Sequence, residues 1–206
     1  SPADFIPAAE HTGLIHAIDH MVLRKSIAHA AESYKAGYKM NFSINLSAHA
    51  FNDPELLPIL KAELVRHQFE PENLMFEITE TAALEDLPGA RSLMKEIKEL
   101  GCGFVLDDFG VGFSSFYYLR ELPVDVVKID GSFIKNLADN SDDLILVNAL
   151  CSVARGFGKR ITAEFVENAK ILAILETLDI DYAQGYYIGK PSPASEFLKK
   201  RNDLLH

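Results

Sequence analysis

The chain reads as an α/β protein built on a parallel sheet, and three observations predict it. Six short apolar runs punctuate the sequence: Phe42–Leu46, Leu74–Ile78, Gly103–Asp108, Val124–Asp130, Ile161–Val166 and Asp181–Tyr186. Segments with helical periodicity separate most of them, and strand–helix–strand repeated this often gives right-handed parallel crossovers, with a sheet buried on both faces. Each run also carries a carboxylate, an amide or a lysine at or near its C-terminal end, namely Asn45, Glu77, Asp107 with Asp108, Lys128, Glu164 and Gln184. A charge inside a buried strand is costly unless something pairs with it. Parallel α/β proteins gather their chemistry at the carboxyl ends of the strands.

The elements follow in order. Asp4–Glu10 predicts a short helix, and Thr12 is a candidate cap for the next, along which Leu14, Ile15, Ile18, Met21, Val22 and Leu23 recur. The first strand ends near Leu46. A helix over Pro54–His67 follows, with Asp53 as candidate cap and Pro54 suited to its first position. After the second strand, Leu74–Thr79, a long helix ends at Leu100, where Gly101 is a natural terminator. The third strand holds the paired aspartates. Gly110–Ser115 is a glycine-rich loop that opens a short helix through Leu119. The fourth strand carries Lys128, and a helix over Asp142–Phe157 ends at Gly158. The fifth and sixth strands carry Glu164 and Gln184, with a helix over Ala169–Leu178 between them. Pro191–Leu205 predicts a terminal helix. A closed barrel of this type needs eight strands and about 250 residues, or roughly 200 when compact. Only six are legible here, so either the sheet is open or two strands precede this chain.

Composition bounds the function. With 206 residues the chain is long enough for one domain with a real core. It is 48% hydrophobic and 24% charged, ordinary for a soluble globular protein, with a formal net charge of −10. That balance argues against DNA or RNA duplexes as partners, which need a basic surface. It leaves room for a small phosphorylated ligand, because a metal ion inverts the charge locally. Cys102 and Cys151 lack metal-ligand spacing and read as buried free thiols in a reducing cytoplasm. No apolar run is long enough for a membrane span and no signal peptide is visible. The chain opens on Ser1-Pro2 without an initiator Met, so it is expected to be an excised part of a longer protein, whose membrane anchoring stays open.

The polar residues define candidate chemistry. Asp107 and Asp108 with Glu77 and Asn45 make an all-oxygen set of the kind that hard cations such as Mg²⁺ or Mn²⁺ prefer. Helix caps or pairing with Arg and Lys are the plainer use of such groups. Lys128, between Val127 and Ile129, needs a partner if buried. It is placed to neutralise a phosphate oxygen or orient a water, or else to pair with Asp107 or Asp130. Glu164 is a candidate ligand or base, and Glu167 a supporting residue or the cap of the next helix. His16 and His20 have helical i, i+4 spacing but lack the His-Glu-x-x-His order, and read as a solvated helix face.

Taken together, these segments resemble the EAL-domain family of bacterial cyclic di-GMP phosphodiesterases. The matching pieces are Phe5-Ile-Pro-Ala-Ala-Glu10, Ser43-Ile-Asn-Leu-Ser47, Glu77-Ile-Thr-Glu80, Asp107-Asp-Phe-Gly-Val-Gly-Phe-Ser-Ser115, Lys128-Ile-Asp130, Ala163-Glu-Phe-Val-Glu167 and Gln184-Gly-Tyr186, in family order over nearly the whole chain. The resemblance implies one EAL-like domain over residues 1–206. Its fold would be a TIM-like (β/α)8 barrel, here incomplete with about six parallel strands. The activity implied is metal-dependent hydrolysis of cyclic di-GMP to linear pGpG with Mg²⁺ or Mn²⁺, two ions in all. By motif match, Asn45, Glu77, Asp107, Asp108 and Glu164 resemble metal ligands. Lys128, Glu164 and Asp108 resemble the catalytic set, with Lys128 matching the residue that positions the attacking water. Gln184 and Glu167 resemble supporting residues, and Glu80 the glutamate that anchors the glycine-rich loop. That loop is similar to the one through which the family couples dimerisation to activity, so a homodimer is implied, with sensor or GGDEF domains in the parent.

Three departures accompany the resemblance. Glu-Ala-Leu itself is absent, and the family places it upstream of Phe5-Ile-Pro7, so weak turnover is expected of this chain. Phe165 stands where the family usually has glycine, where its ring is expected to crowd the pocket or shift Glu164. Val111 and Phe113 replace a usual threonine and tyrosine in the loop. A noncatalytic cyclic di-GMP receptor is the alternative reading, and a purely protein-binding scaffold a third.

Overall fold

In the computed structural model, residues 2–111 and 119–193 are described. Helices α1 (Pro2–Thr12) and α2 (Ile15–Lys35) lead into β1 (Phe42–Asn45). A 3-10 turn, Ala48–Asn52, and α3 (Leu56–His67) follow, then β2 (Leu74–Thr79), α4 (Glu80–Glu85), α5 (Leu87–Glu99) and β3 (Gly103–Phe109). After them come β4 (Val126–Ile129), the short α6 (Gly131–Ile134), α7 (Ser141–Gly156), β5 (Arg160–Ala163), α8 (Ala169–Thr177) and β6 (Tyr182–Ala183).

The six strands form one sheet in chain order, β1-β2-β3-β4-β5-β6, and every described pair is parallel. Sequential order with crossovers of one hand puts the connecting helices on one side of the sheet, as in a barrel rather than a doubly wound sheet. The sheet is thus half of a barrel. Its outer face is the core. Phe76, Phe104 and Phe109 are fully buried there with Leu74, Ile78 and Leu106, against Leu23 and Ile27 of α2, Leu60 of α3, and Met94 and Ile97 of α5. The inner face differs from the expectation of a sheet covered on both sides. Ser43, Asn45, Tyr182 and Gln184 are exposed there.

Several local expectations change. Thr12 does not cap α2. Its hydroxyl donates back to the Ala8 and Ala9 carbonyls and so ends α1. Asp53 does not cap α3 itself: it accepts from the Glu55 N–H at 2.9 Å in the turn before the helix, which begins only at Leu56. The long helix before Leu100 is broken in two at Asp86, whose carboxylate accepts the Gly89 N–H and so starts α5 afresh ahead of Pro88. Gly101, at φ +102, closes α5 as expected. The cap of α8 is Asn168, accepting from the Ile171 N–H, and not Glu167. Residues 191–193 carry no helix, and the remainder of the predicted terminal helix lies outside the described residues, as does most of the glycine-rich loop with its short helix.

The predicted solvated face of His16 and His20 is also corrected. Both rings turn toward Asp53, whose side chain is 5% exposed, with His20 Nε2 at 2.6 Å and His16 Nδ1 at 3.3 Å. A carboxylate buried between α2 and the start of α3 needs such partners.

Candidate metal centre

Alternation along each strand sends Asn45, Glu77, Asp107, Lys128, Glu164 and Gln184 to the inner face at the carboxyl ends of their strands. Register makes Asn45 the neighbour of Glu77, and Thr79 that of Asp107. The difficulty visible in the sequence, two adjacent aspartates that should face opposite ways, is resolved in the backbone. The β3–β4 register shifts between Leu106 and Phe109, and Asp108 adopts a left-handed φ of +56. Aspartate tolerates that region better than most residues. The irregularity turns both carboxylates inward, and the Asp108 N–H donates to Asp107 Oδ1 at 3.1 Å.

Lys128 is the hub. Its residue is 5% exposed. Its Nζ lies 2.7 Å from Glu164 Oε1, 3.0 Å from Asp107 Oδ1 and 3.2 Å from Glu77 Oε2. Burial alone would lower its pKa, yet Glu77, Asp107 and Glu164 together outweigh burial and hold the ammonium well above the usual lysine value. Asp130 does not take part in this pairing. It caps α6 by accepting the Ser132 N–H at 2.8 Å.

One ammonium cannot balance Glu77, Asp107, Asp108 and Glu164. Burial and the neighbouring charges of Asp107 and Asp130 push the Asp108 carboxyl up, against the pull of Lys128. Burial also pushes Glu164 up; its hydrogen bond to Lys128 pulls it down, and Asp107 and Asp108 add to the rise. Such a site calls for protons or cations. Asp107, Asp108 and Glu164 can each present an oxygen within 4.8 Å of the others, which suits a hard divalent ion. Asn45 and Glu77 stand on the same face beside them.

The remaining predicted residues surround this cluster. Glu80, 4% exposed at the start of α4, accepts the Gly110 N–H at 3.2 Å and so ties down the chain just after β3. Gln184, Glu167 and Glu164 line a cavity of about 240 Å³ with Phe165, Gly185 and Tyr186. A wider hollow of about 440 Å³ between Phe51, Pro54, Leu57 and Leu93 lies among the outer helices, away from the carboxylates.

Phe165 does not displace Glu164, which keeps its contact to Lys128. Its backbone takes φ +52, a conformation that suits glycine. Its ring lies over Gly131, where an added Cβ would collide with Cδ2, and Lys135 Nζ sits 4.3 Å from the ring centroid. The side chain is 45% exposed at the rim of the cavity. Sequence reading missed Asp19, buried on α2, whose Oδ2 accepts the Ser47 hydroxyl at 2.6 Å. Its only signal was a carboxylate at a position that the apolar period of α2 assigns to the core.

The chain is also similar to known proteins along nearly its whole length. The EAL domain model matches residues 1–191. The cyclic di-GMP phosphodiesterase PdeB of Shewanella oneidensis is 40% identical over 97% of this chain and 23% of its own length. PdeF of Escherichia coli, also a cyclic di-GMP phosphodiesterase, is 37% identical over 97% of this chain and 27% of its own. The chain thus spans about a quarter of the length of these relatives. Among solved structures, the PaMucR phosphodiesterase in complex with c-di-GMP superimposes with a TM-score of 0.90 at 35% identity, covering 96% of this chain and 80% of that one. The FimX EAL domain of Pseudomonas aeruginosa bound to c-di-GMP gives a TM-score of 0.88 at 33% identity, over 93% and 77%.

Proposed function

The chain belongs to the EAL domain family, and on that premise we propose that it hydrolyses cyclic di-GMP to linear pGpG with Mg²⁺ or Mn²⁺. The observation that carries the reading is the convergence of Asp107, Asp108, Glu164 and Glu77 on the buried Lys128 at the carboxyl ends of parallel strands.

In this reading Asp107, Asp108, Glu164, Glu77 and Asn45 hold the ions, two of them as the family resemblance implies. Bound divalent ions would acidify a water and screen the charge of the phosphate. The chain's residues supply the rest. Lys128, held by three carboxylates, keeps its protons and donates toward the attacking water, whose oxygen adds to phosphorus. The P–O bond to one ribose then breaks, and that oxygen leaves with a proton, opening the ring. Glu164 and Asp108, gathered with Asp107 beside Lys128, are the groups placed to take the proton from the water and return one to that oxygen. Gln184 and Glu167 line the cavity in which the ligand's distal half would lie. Glu80 restrains the loop beyond Asp108.

The proposal reads residues 1–206 as one domain and takes the protein to act as a homodimer in the bacterial cytoplasm, as part of a larger signalling protein. The exposed apolar row Leu144, Ile145 and Leu146 on α7 and the unpaired outer edges of β1 and β6 among the described residues support self-association. No helix among the described residues is long and apolar enough to cross a membrane.

The test is an assay for pGpG with Mn²⁺, on the chain alone and on its full-length gene product, against D107N and E164Q. Metal-dependent product that both variants abolish is expected. Intact cyclic di-GMP in every preparation would sink the reading. Binding without cleavage would make the protein a receptor instead.

A further inference from the structure

We propose that Asp19 is a positioning residue that fixes the end of β1 and so sets Asn45 against Glu77; this rests on the reading of the metal centre given above. Asp19 lies on the buried face of α2 and is 6% exposed. A carboxylate inside a helix–sheet interface needs a compelling partner, since an apolar residue of similar size would pack there at less cost. The partner is Ser47. Its hydroxyl donates to Asp19 Oδ2 at 2.6 Å, and its backbone N–H reaches the same carboxylate.

Ser47 is placed for a different task that it does not perform. It is the residue before the 3-10 turn Ala48–Asn52, with extended backbone, yet its side chain makes no capping bond. Serine at such a position ordinarily turns its hydroxyl oxygen inward to the turn's own N–H groups. Here the hydroxyl is directed to a helix 28 residues away in sequence. A local stabilising contact has been exchanged for a long-range one.

The segment so held is the end of β1. Asn45 is two residues before Ser47, and between them the Leu46 N–H donates to the Glu77 carbonyl at 2.9 Å. The strand end is therefore gripped by β2 through its backbone and by α2 through Asp19. Among the described residues β1 has a ladder on one side only, and the contact to Asp19 is a second hold on its end. A short hydrogen bond to a charged acceptor is strong and geometrically narrow. His16 and His20, flanking Asp19 on α2, engage Asp53 at the far end of the same turn, so the turn is clamped at both ends by one helix.

The experiment measures Mn²⁺ dependence of hydrolysis and Mn²⁺ binding by calorimetry in the wild-type chain, D19A, D19N, S47A and E63Q. D19A and S47A are expected to raise the half-saturating Mn²⁺ concentration about tenfold, while turnover at saturating Mn²⁺ stays within about twofold. D19N keeps an acceptor for the Ser47 hydroxyl and should recover most of the affinity. E63Q tests a merely structural role. Glu63 is a buried acid of α3 whose ion-pair partners are Arg24 of α2 and Arg66 and His67 of its own helix. It should lower the melting temperature without moving the Mn²⁺ dependence. A D19A or S47A profile equal to wild type overturns the proposal. S47A retains the buried carboxylate and decides the matter if D19A does not fold. If the wild-type chain neither binds Mn²⁺ nor cuts cyclic di-GMP, the earlier reading fails. The Asn45 side-chain amide resonance then decides this one: a shift in S47A and none in E63Q supports it, and no shift in S47A overturns it.

Discussion

Lys128 shows how much a single side chain organises. In an apolar strand it would be an unfavourable residue, and with three carboxylates within 3.2 Å it becomes the fixed point of the inner face. Its removal separates two roles. Lys128→Met should lower hydrolysis at least about a hundredfold, because the donor to the attacking water is lost. The same change leaves Glu77, Asp107 and Glu164 without their cation, so Mn²⁺ should bind as tightly as in wild type or more tightly. Calorimetry beside the pGpG assay checks both, and weakened Mn²⁺ binding would contradict the assignment. That these residues belonged together was legible in the sequence, because each stands at the end of an apolar run. That both Asp107 and Asp108 face inward was not. It depends on the register shift and the left-handed backbone at Asp108, which alternation alone does not reveal.

At the scale of elements, the first helices owe their placement to buried acids as well as to apolar packing. Asp53 is gripped by His20, by the Glu55 N–H and by the approach of His16. Burial would raise its carboxyl pKa, but these donors outweigh burial and hold it below the ordinary value. A folded pKa below the unfolded one contributes stability that is present above about pH 4 and lost as pH falls through the folded value. Asp53→Ala should therefore cost about 1–3 kcal/mol at neutral pH and flatten the acid side of the stability profile below about pH 4, as read by chemical denaturation. Helix periods in the sequence located α2 and α3. They did not show that His16 and His20 turn inward, because an i, i+4 pair of histidines fits either a wet face or a buried partner supplied by another element.

At the scale of the molecule, the chain is acidic overall, with a net charge of −10, and has a further concentration of like charge at the strand ends. Asp108 and Glu164 both have carboxyls raised by burial and by their acidic neighbours. A folded pKa above the unfolded one contributes stability that is full below about pH 4 and is lost as pH rises through the folded value. The metal-free protein should thus lose melting temperature as pH rises above about 4 through that range, a window separate from the acid loss at Asp53. Mn²⁺ should restore it, because a ligand that binds only the folded state stabilises by mass action. Thermal melts across this range with EDTA or Mn²⁺ test the pair of statements. A Mn²⁺ effect absent at neutral pH would contradict them.

The sequence by itself determined the fold class, the order of strands and the set of polar residues at their ends, because period, turn chemistry and residue type are local properties of the chain. It also determined the family, since ordered motifs such as Glu77-Ile-Thr-Glu80 and Lys128-Ile-Asp130 survive as text. Tertiary structure alone decided that Lys128 touches Glu77, Asp107 and Glu164 at once, that Phe165 lies over Gly131 instead of on Glu164, and that Asp19 reaches Ser47. Those contacts join residues far apart in the chain, and their distances are set by strand register and helix packing, which no local pattern encodes.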